Sequence, residues 1–178
     1  ERNALLQQAI YLVGMSKTLG KTSMKEFSKR YQLINRLHLA KVSGHSMTPT
    51  LAHNDLLVCS KRAKINRGQL IVFNNPLIPG MHLVKRLIGM PRDLLSLCDG
   101  SLYINGSHLL EPYLHGGPAA PDLKPYEVRV PQESIFVLSD DRVHPSTDSR
   151  VCGFIKLEDI HSFVKYRVWP LNRIGRIG

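Results

Sequence analysis

Cysteine is scarce in this 178-residue sequence: Cys59, Cys98 and Cys152 stand far apart, with no C-x-x-C and no paired histidine spacing. That pattern argues against a zinc site built on cysteine pairs. One disulfide plus a thiol, or three buried thiols, would fit the count, and an odd number without framework spacing favours thiols. Long apolar runs are missing too. The most apolar stretch, Ala4 to Met15, runs for about twelve residues and contains two glutamines, whereas a spanning helix needs roughly 20. It reads as the end of a longer membrane anchor, an interfacial helix or a packed helix. Acidic residues are few, 14 Asp and Glu against 24 Lys and Arg, for a net charge of +10. Residues 1–41 hold +6 of that excess and the rest +4. A basic N-terminus of this kind suits a segment that meets anionic lipid or nucleic acid. There is no internal repeat.

The remainder is ordinary globular material, 43% hydrophobic and 21% charged, with length for one compact domain plus appendages. Lys17, Lys21, Lys25 and Lys29 recur every fourth residue, while Phe27, Tyr31 and Ile34 follow helical spacing on another face. This predicts a basic amphipathic helix, either against an anionic membrane surface or as a solvated face. After Leu39 the texture becomes β-like. Leu56–Cys59, Gln69–Phe73, His82–Ile88, Leu94–Leu97, Ser101–Ile104, Glu127–Val130, Ser134–Leu138 and Phe163–Val168 read as strands. Turn formers such as Asn54-Asp55, Asp99-Gly100 and Asn105-Gly106 separate them. The expectation is a mainly β fold, a folded sheet or barrel of short, largely antiparallel strands behind an N-terminal helical segment. Residues 1–41 would form the basic, membrane-proximal segment and 42–178 the β-rich domain, with a small inserted hairpin and loop region around 90–130.

Two segments carry chemistry. Val42-Ser43-Gly44-His45-Ser46-Met47-Thr48-Pro49-Thr50-Leu51 is a short turn-bounded loop that could expose Ser46 as a nucleophile. In His82–Gly89, alternation puts Leu83, Lys85 and Leu87 on one strand face. A lysine buried between two leucines loses hydration of its ammonium, so its pKa falls and a neutral amine becomes available as a base near neutral pH. A polar loop, Ser139 to Arg150, follows the apolar strand Ile135–Leu138 and could supply a group that orients the base. A Ser/His/Asp triad from His45 or His144 with Asp140, Asp141 or Asp148 is the weaker arrangement, because adjacent residues in extended chain point opposite ways. Met47 either lines a substrate pocket or packs. Eight histidines without shared spacing give no metal motif, and no cofactor is expected.

Ser46-Met47-x-Pro49-Thr50-Leu51, Arg67-Gly68-x-x-Ile71-Val72-Phe73, Val84-Lys85-Arg86-x-Ile88-Gly89, Leu102-Tyr103-Ile104-Asn105-Gly106 and Ser146-x-Asp148-Ser149-Arg150-x-x-Gly153 occur in that order. Together with Trp169-Pro170-Leu171-Asn172-Arg173-Ile174 they resemble type I signal peptidases over roughly residues 42–174. The resemblance implies a Ser/Lys-dyad endopeptidase, membrane-associated with its catalytic domain on the extracytoplasmic side. Its partners would be signal-peptide-bearing preproteins and the membrane surface, with no nucleic acid. Ser46 matches the nucleophile, Lys85 the base and Ser146 the serine that holds the lysine amine. Asp148 and Arg150 match residues that brace the site by charge pairing, and Arg86 is read as a partner for Asp148.

Three departures accompany the match. Many relatives begin the polar loop Gly-Asp-Asn-Arg, but here it reads Ser139-Asp140-Asp141-Arg142 and is one residue longer before Ser146. Gly44 occupies the position that supplies an oxyanion-hole hydroxyl in some members, leaving the Ser46 backbone N–H, with Ser43 as a nearby substitute donor. The apolar N-terminus is short. Two other readings compete: a self-cleaving, DNA-binding regulator of the SOS-repressor type, which shares the Gly-x-Ser-Met and Val-Lys-Arg elements, and a non-catalytic relative serving as a binding module.

Overall fold

The computed structural model describes residues 36–61, 63–114, 126–144 and 146–177. The amphipathic helix read over Lys17 to Leu37 and the apolar stretch before it fall almost wholly outside these residues.

Twelve strands are present among the described residues: β1 (Leu37–Lys41), β2 (Leu56–Ser60), β3 (Leu70–Asn74), β4 (His82–Gly89), β5 (Leu94–Cys98), β6 (Ser101–Ile104), β7 (Ser107–His108), β8 (Tyr126–Arg129), β9 (Ser134–Leu138), β10 (Ile155–Lys156), β11 (Ile160–Trp169) and β12 (Gly175–Arg176). Among the described residues a short helix, α1, spans Ser149–Cys152. Every strand pairing is antiparallel. The larger sheet runs β1-β2-β11-β3-β4-β9-β10, with β12 beside β11, and the smaller runs β7-β6-β5-β8. Both are open sheets, so of the two architectures expected the folded sheet is the one observed.

Local chemistry explains the hairpins. Asp99-Gly100 and Asn105-Gly106 take positive φ at both positions, 49° and 72°, then 51° and 80°. Successive left-handed residues are what a tight two-residue hairpin turn demands, and Asn, Asp and Gly adopt them most readily.

Apolar side chains then sort by face. Met47, Leu51, Leu57, Leu70 and Val72 pack on one side of the large sheet. Ile71, Phe73, Leu87, Ile135 and Val137 pack on the other. A third cluster, including Ile88, Leu95, Leu102 and Phe136, joins the two sheets. Gly89 marks that junction: a Cβ there would lie 2.7 Å from Leu95 Cδ1 and 2.9 Å from both Phe136 Cβ and Val130 Cγ2.

β1 was not expected as a strand, since the helical reading ran to Leu37. Its period is two: Leu37 and Leu39 pack beside Val58 and Val168, while Ala40 packs against the opposite cluster. Five residues carry too little pattern to stand out against the basic helical spacing before them. The strand belongs to the large sheet, so the end of the segment read as N-terminal is structurally part of the β domain.

Candidate active site

β1 and β2 are joined by the loop that carries Ser46. The loop leaves the ladder through Val42 N–H to Asp55 O and Asn54 N–H to Val42 O, at 2.9 and 3.0 Å. Met47 and Leu51 are fully buried and hold it in the core, so the packing reading of Met47 is the one observed. Gly44 takes φ +93°, a left-handed conformation that a side chain would strain. Asp141 N–H donates to Ser46 O at 3.0 Å, tying the Ser46 loop to the polar loop after β9. Asp55 fastens the far side: it accepts from Ala52 N–H at 2.9 Å and from the Arg167 guanidinium at 3.2 Å.

Lys85 lies on β4 between β3 and β9, paired with Ile71. Its residue is 2% exposed. The amine Nζ stands 2.6 Å from Ser46 Oγ and 2.9 Å from Ser146 Oγ. Residues 46, 85 and 146 thus converge on one point. Burial pushes the Lys85 amine down to about 8, with the Asp148 carboxylate pulling partly the other way and the Arg150 cation adding to the depression.

The polar loop is built around Asp148, which caps α1. Its carboxylate accepts from Ser139 N–H at 2.9 Å, Arg150 N–H at 3.1 Å, Arg150 Nε at 3.0 Å and Arg150 Nη2 at 2.8 Å. Burial alone would raise this carboxyl, but the Arg150 and Ser139 hydrogen bonds outweigh it and hold it below the usual carboxylate range.

Arg86, read as the partner of Asp148, has another role in the geometry. Alternation sends it to the opposite face of β4 from Lys85. There its Nε and Nη2 grip Asp140 Oδ1 and Oδ2 at 2.7 and 2.5 Å. Gly68 O accepts from Nη1 at 2.7 Å, Thr50 Oγ1 accepts from Nη2 at 3.1 Å, and the guanidinium lies 3.7 Å from the Tyr113 ring centroid. The Ser46 loop therefore touches both faces of β4, through Ser46 on one and Thr50 on the other.

Other site residues fall as follows. Ser43 is exposed, and Gly44 N–H donates to His53 Nδ1 at 3.1 Å. Among the described residues no acceptor is paired with the Ser46 N–H. His45 faces the His53 ring at 5.7 Å, and His144 is bound to Asp141 at 2.8 Å on the surface, so no Ser/His/Asp triad assembles. All three cysteines are free thiols: Cys59 buried, Cys152 half-buried, Cys98 exposed. Among the described residues no cluster could hold a metal ion, and no helix is long and apolar enough to cross a membrane.

Sequence reasoning missed three participants. Ser139 is completely buried, with its Oγ 2.7 Å from Ser146 Oγ. Glu111 accepts from Tyr113 Oη at 2.5 Å and pairs with Arg142 at the same distance, linking the turn at 112–114 to the polar loop. Ser139 carried a signal, a hydroxyl directly after four apolar strand residues. Glu111 and Tyr113 carried none, because neither sits in a periodic segment. A cleft of about 250 Å³ opens beside the Ser46 loop between Thr48, Pro49, Leu114 and the Asp141–Val143 segment.

The chain is similar to known proteins over most of its length. Residues 33–169 match the family model described as signal peptidase, peptidase S26. A signal peptidase I from Bacillus caldolyticus is 37% identical over 149 residues, covering 75% of this chain and 80% of the relative. One from Leptolyngbya laminosa is 33% identical, covering 77% and 71%. The crystal structure of a signal peptidase I from Enterococcus faecalis superposes with a TM-score of 0.50 at 31% identity, covering 57% of this chain and 97% of that one. With most of its length matched by the family model and by curated relatives, the chain belongs to the signal peptidase family, peptidase S26.

Proposed function

We propose that this protein is a serine endopeptidase that removes N-terminal signal peptides from exported preproteins, with Ser46 as nucleophile and Lys85 as general base. The observation that carries this reading is the buried, neutralisable Lys85 amine 2.6 Å from Ser46 Oγ. The substrate class follows from the family and from relatives named signal peptidase I. Neither relationship nor geometry favours a DNA-binding regulator, and an intact dyad argues against a purely non-catalytic module.

The neutral Lys85 amine takes the Ser46 hydroxyl proton as Oγ bonds to the scissile carbonyl carbon. Negative charge builds on the carbonyl oxygen, where the Ser46 N–H can donate; Gly44 offers no side-chain hydroxyl to assist. The Lys85 ammonium then protonates the leaving amine as the peptide C–N bond breaks, leaving an acyl ester on Ser46. Water attacks the ester with Lys85 again taking a proton, and collapse returns that proton to Ser46 Oγ and releases a carboxylic acid, which gives its remaining proton to solvent. Ser146 holds the amine in line, Asp148 and Arg150 brace the loop carrying Ser146, and Arg86 anchors β4 from behind. We further propose that the catalytic domain works at the extracytoplasmic face of an anionic membrane, with the basic residues 1–41 meeting the lipid.

The test is cleavage of a preprotein with an A-x-A processing site by wild type, Ser46→Ala and Lys85→Ala. Both variants should fold and lose at least about 10³-fold in kcat/KM. Folded variants that still cleave would remove the dyad assignment.

A further inference from the structure

The hydroxyl of Ser139 has no part in the chemistry above, yet it is completely buried and 2.7 Å from Ser146 Oγ. It extends the dyad into a line of four groups: Ser46 Oγ, Lys85 Nζ, Ser146 Oγ and Ser139 Oγ, spaced 2.6, 2.9 and 2.7 Å. Its backbone is fixed independently, through its N–H to Asp148 Oδ2 and its carbonyl, which accepts from Arg142 Nε.

Proton counting gives this line a direction. A serine hydroxyl has one hydrogen to donate and two lone pairs, and at these distances either serine could be the donor. A neutral lysine amine has a single lone pair, and catalysis needs that lone pair for the Ser46 hydrogen. Ser146 must therefore accept an N–H from Lys85 and send its own hydrogen elsewhere. The same holds when Lys85 is an ammonium with no lone pair at all. Ser139 Oγ is the acceptor in place for that hydrogen. Without it the Ser146 hydrogen would turn to the Lys85 lone pair and compete with Ser46.

We propose that Ser139 is a positioning residue for the general base, accepting the Ser146 hydroxyl proton so that Ser146 presents only an acceptor to Lys85 and the lysine lone pair stays directed at Ser46. The inference rests on the reading of Ser46 and Lys85 as the reacting pair. An acceptor oriented toward Lys85 favours the ammonium over the amine, so losing it lowers the pKa of the base. The charged or titratable groups around Lys85 are Asp148, Arg150, Cys152 and Asp140, and the Ser139 hydroxyl bonds to Ser146 and to none of these.

The test measures kcat, KM and the pH dependence of kcat/KM on an A-x-A preprotein for Ser139→Ala, with Ser139→Gly as a second variant and far-UV circular dichroism to establish folding. Ser46→Ala and Lys85→Ala serve as controls. Expected are a fall in kcat of about 10-fold with KM unchanged, and an acid limb displaced to lower pH by about half a unit. In a Ser146→Ala background the same replacements should have no further effect, because the group through which Ser139 acts is gone. Wild-type kcat and pH profile in a folded Ser139 variant would overturn the proposal, as would a full additional loss in the Ser146→Ala background. If the Ser46 and Lys85 controls are inactive while the Ser139 variants match wild type, only this inference fails. If the controls are active, the dyad reading itself fails.

Discussion

The two faces of β4 each bury a cation, at Lys85 and at Arg86, and treat it in opposite ways. On one face Lys85 meets only hydroxyls at contact distance, Ser46 and Ser146, and burial drives its amine down to about 8. On the other, Arg86 is gripped by Asp140 and covered by Tyr113. A guanidinium with a carboxylate and an aromatic face stays charged in the interior, and its planar fork locks geometry. An ammonium offered only neutral oxygens is poised to give up its proton. One strand thus carries a clamped guanidinium and a readily neutralised amine at consecutive positions. The contrast rests on what the surrounding loops bring, since both residues are equally buried.

The comparison can be broken first on the Arg86 side. Arg86→Ala leaves Asp140 buried without its partner and should destabilise the fold by about 3–5 kcal/mol in urea unfolding. A loss below about 0.5 kcal/mol would mean that this face is not a strut. Next in size is the pH response on the Lys85 side. For a base of pKa about 8, the amine is protonated below that value and free above it. The kcat/KM should therefore rise about 50-fold between pH 6 and 8 and level off in alkali. A flat profile across that range, with chemistry limiting, would show that Lys85 is not the base.

The smallest effect sharpens the contrast by separating activity from stability. The folded pKa of Lys85 lies below its unfolded value of 10.5, so the folded state binds fewer protons. Its burial is a stability penalty, fully present below pH 8 and relieved as pH rises from about 8 towards 10.5. Lys85→Met should be inactive yet about 1–2 kcal/mol more stable at pH 7, with the gain shrinking in alkali. Equal stability at both pH values would contradict the penalty. At Arg86 an analogous methionine should destabilise, because it leaves a carboxylate behind.

How much of this could be read from sequence differs between the two faces. Lys85 was legible because a charge alternating with Leu83 and Leu87 breaks a local pattern, and Ser46 because its loop has turn chemistry on both sides. Most of the core strands were legible for the same reason: period two and Asn, Asp or Gly at their ends. Arg86 was misassigned to Asp148 because partner choice is set by three-dimensional register. β4 pairs Arg86 with Leu138, which places the guanidinium beside Asp140, while Arg150 already occupies Asp148. β1 was hidden by the stronger basic periodicity upstream. Glu111 and Tyr113 lie in a proline-bounded turn where no periodicity reports a contact with a loop some thirty residues later.

The position of β11 bears on when the enzyme comes into being. It follows Ser46, Lys85 and Ser146 in sequence, yet it lies in the interior of the large sheet, between β2, which closes the Ser46 loop, and β3, which borders the Lys85 strand. A ribosome delivers residues in order, so Ser46, Lys85 and Ser146 all emerge before the strand that joins their halves of the sheet. Two braces to Thr50 O come with it, from Arg167 within β11 at 2.8 Å and from Arg173 just after it at 3.4 Å. Order of synthesis therefore places the joining of these loops after the making of each, since residues 46, 85 and 146 all precede the strand that unites them.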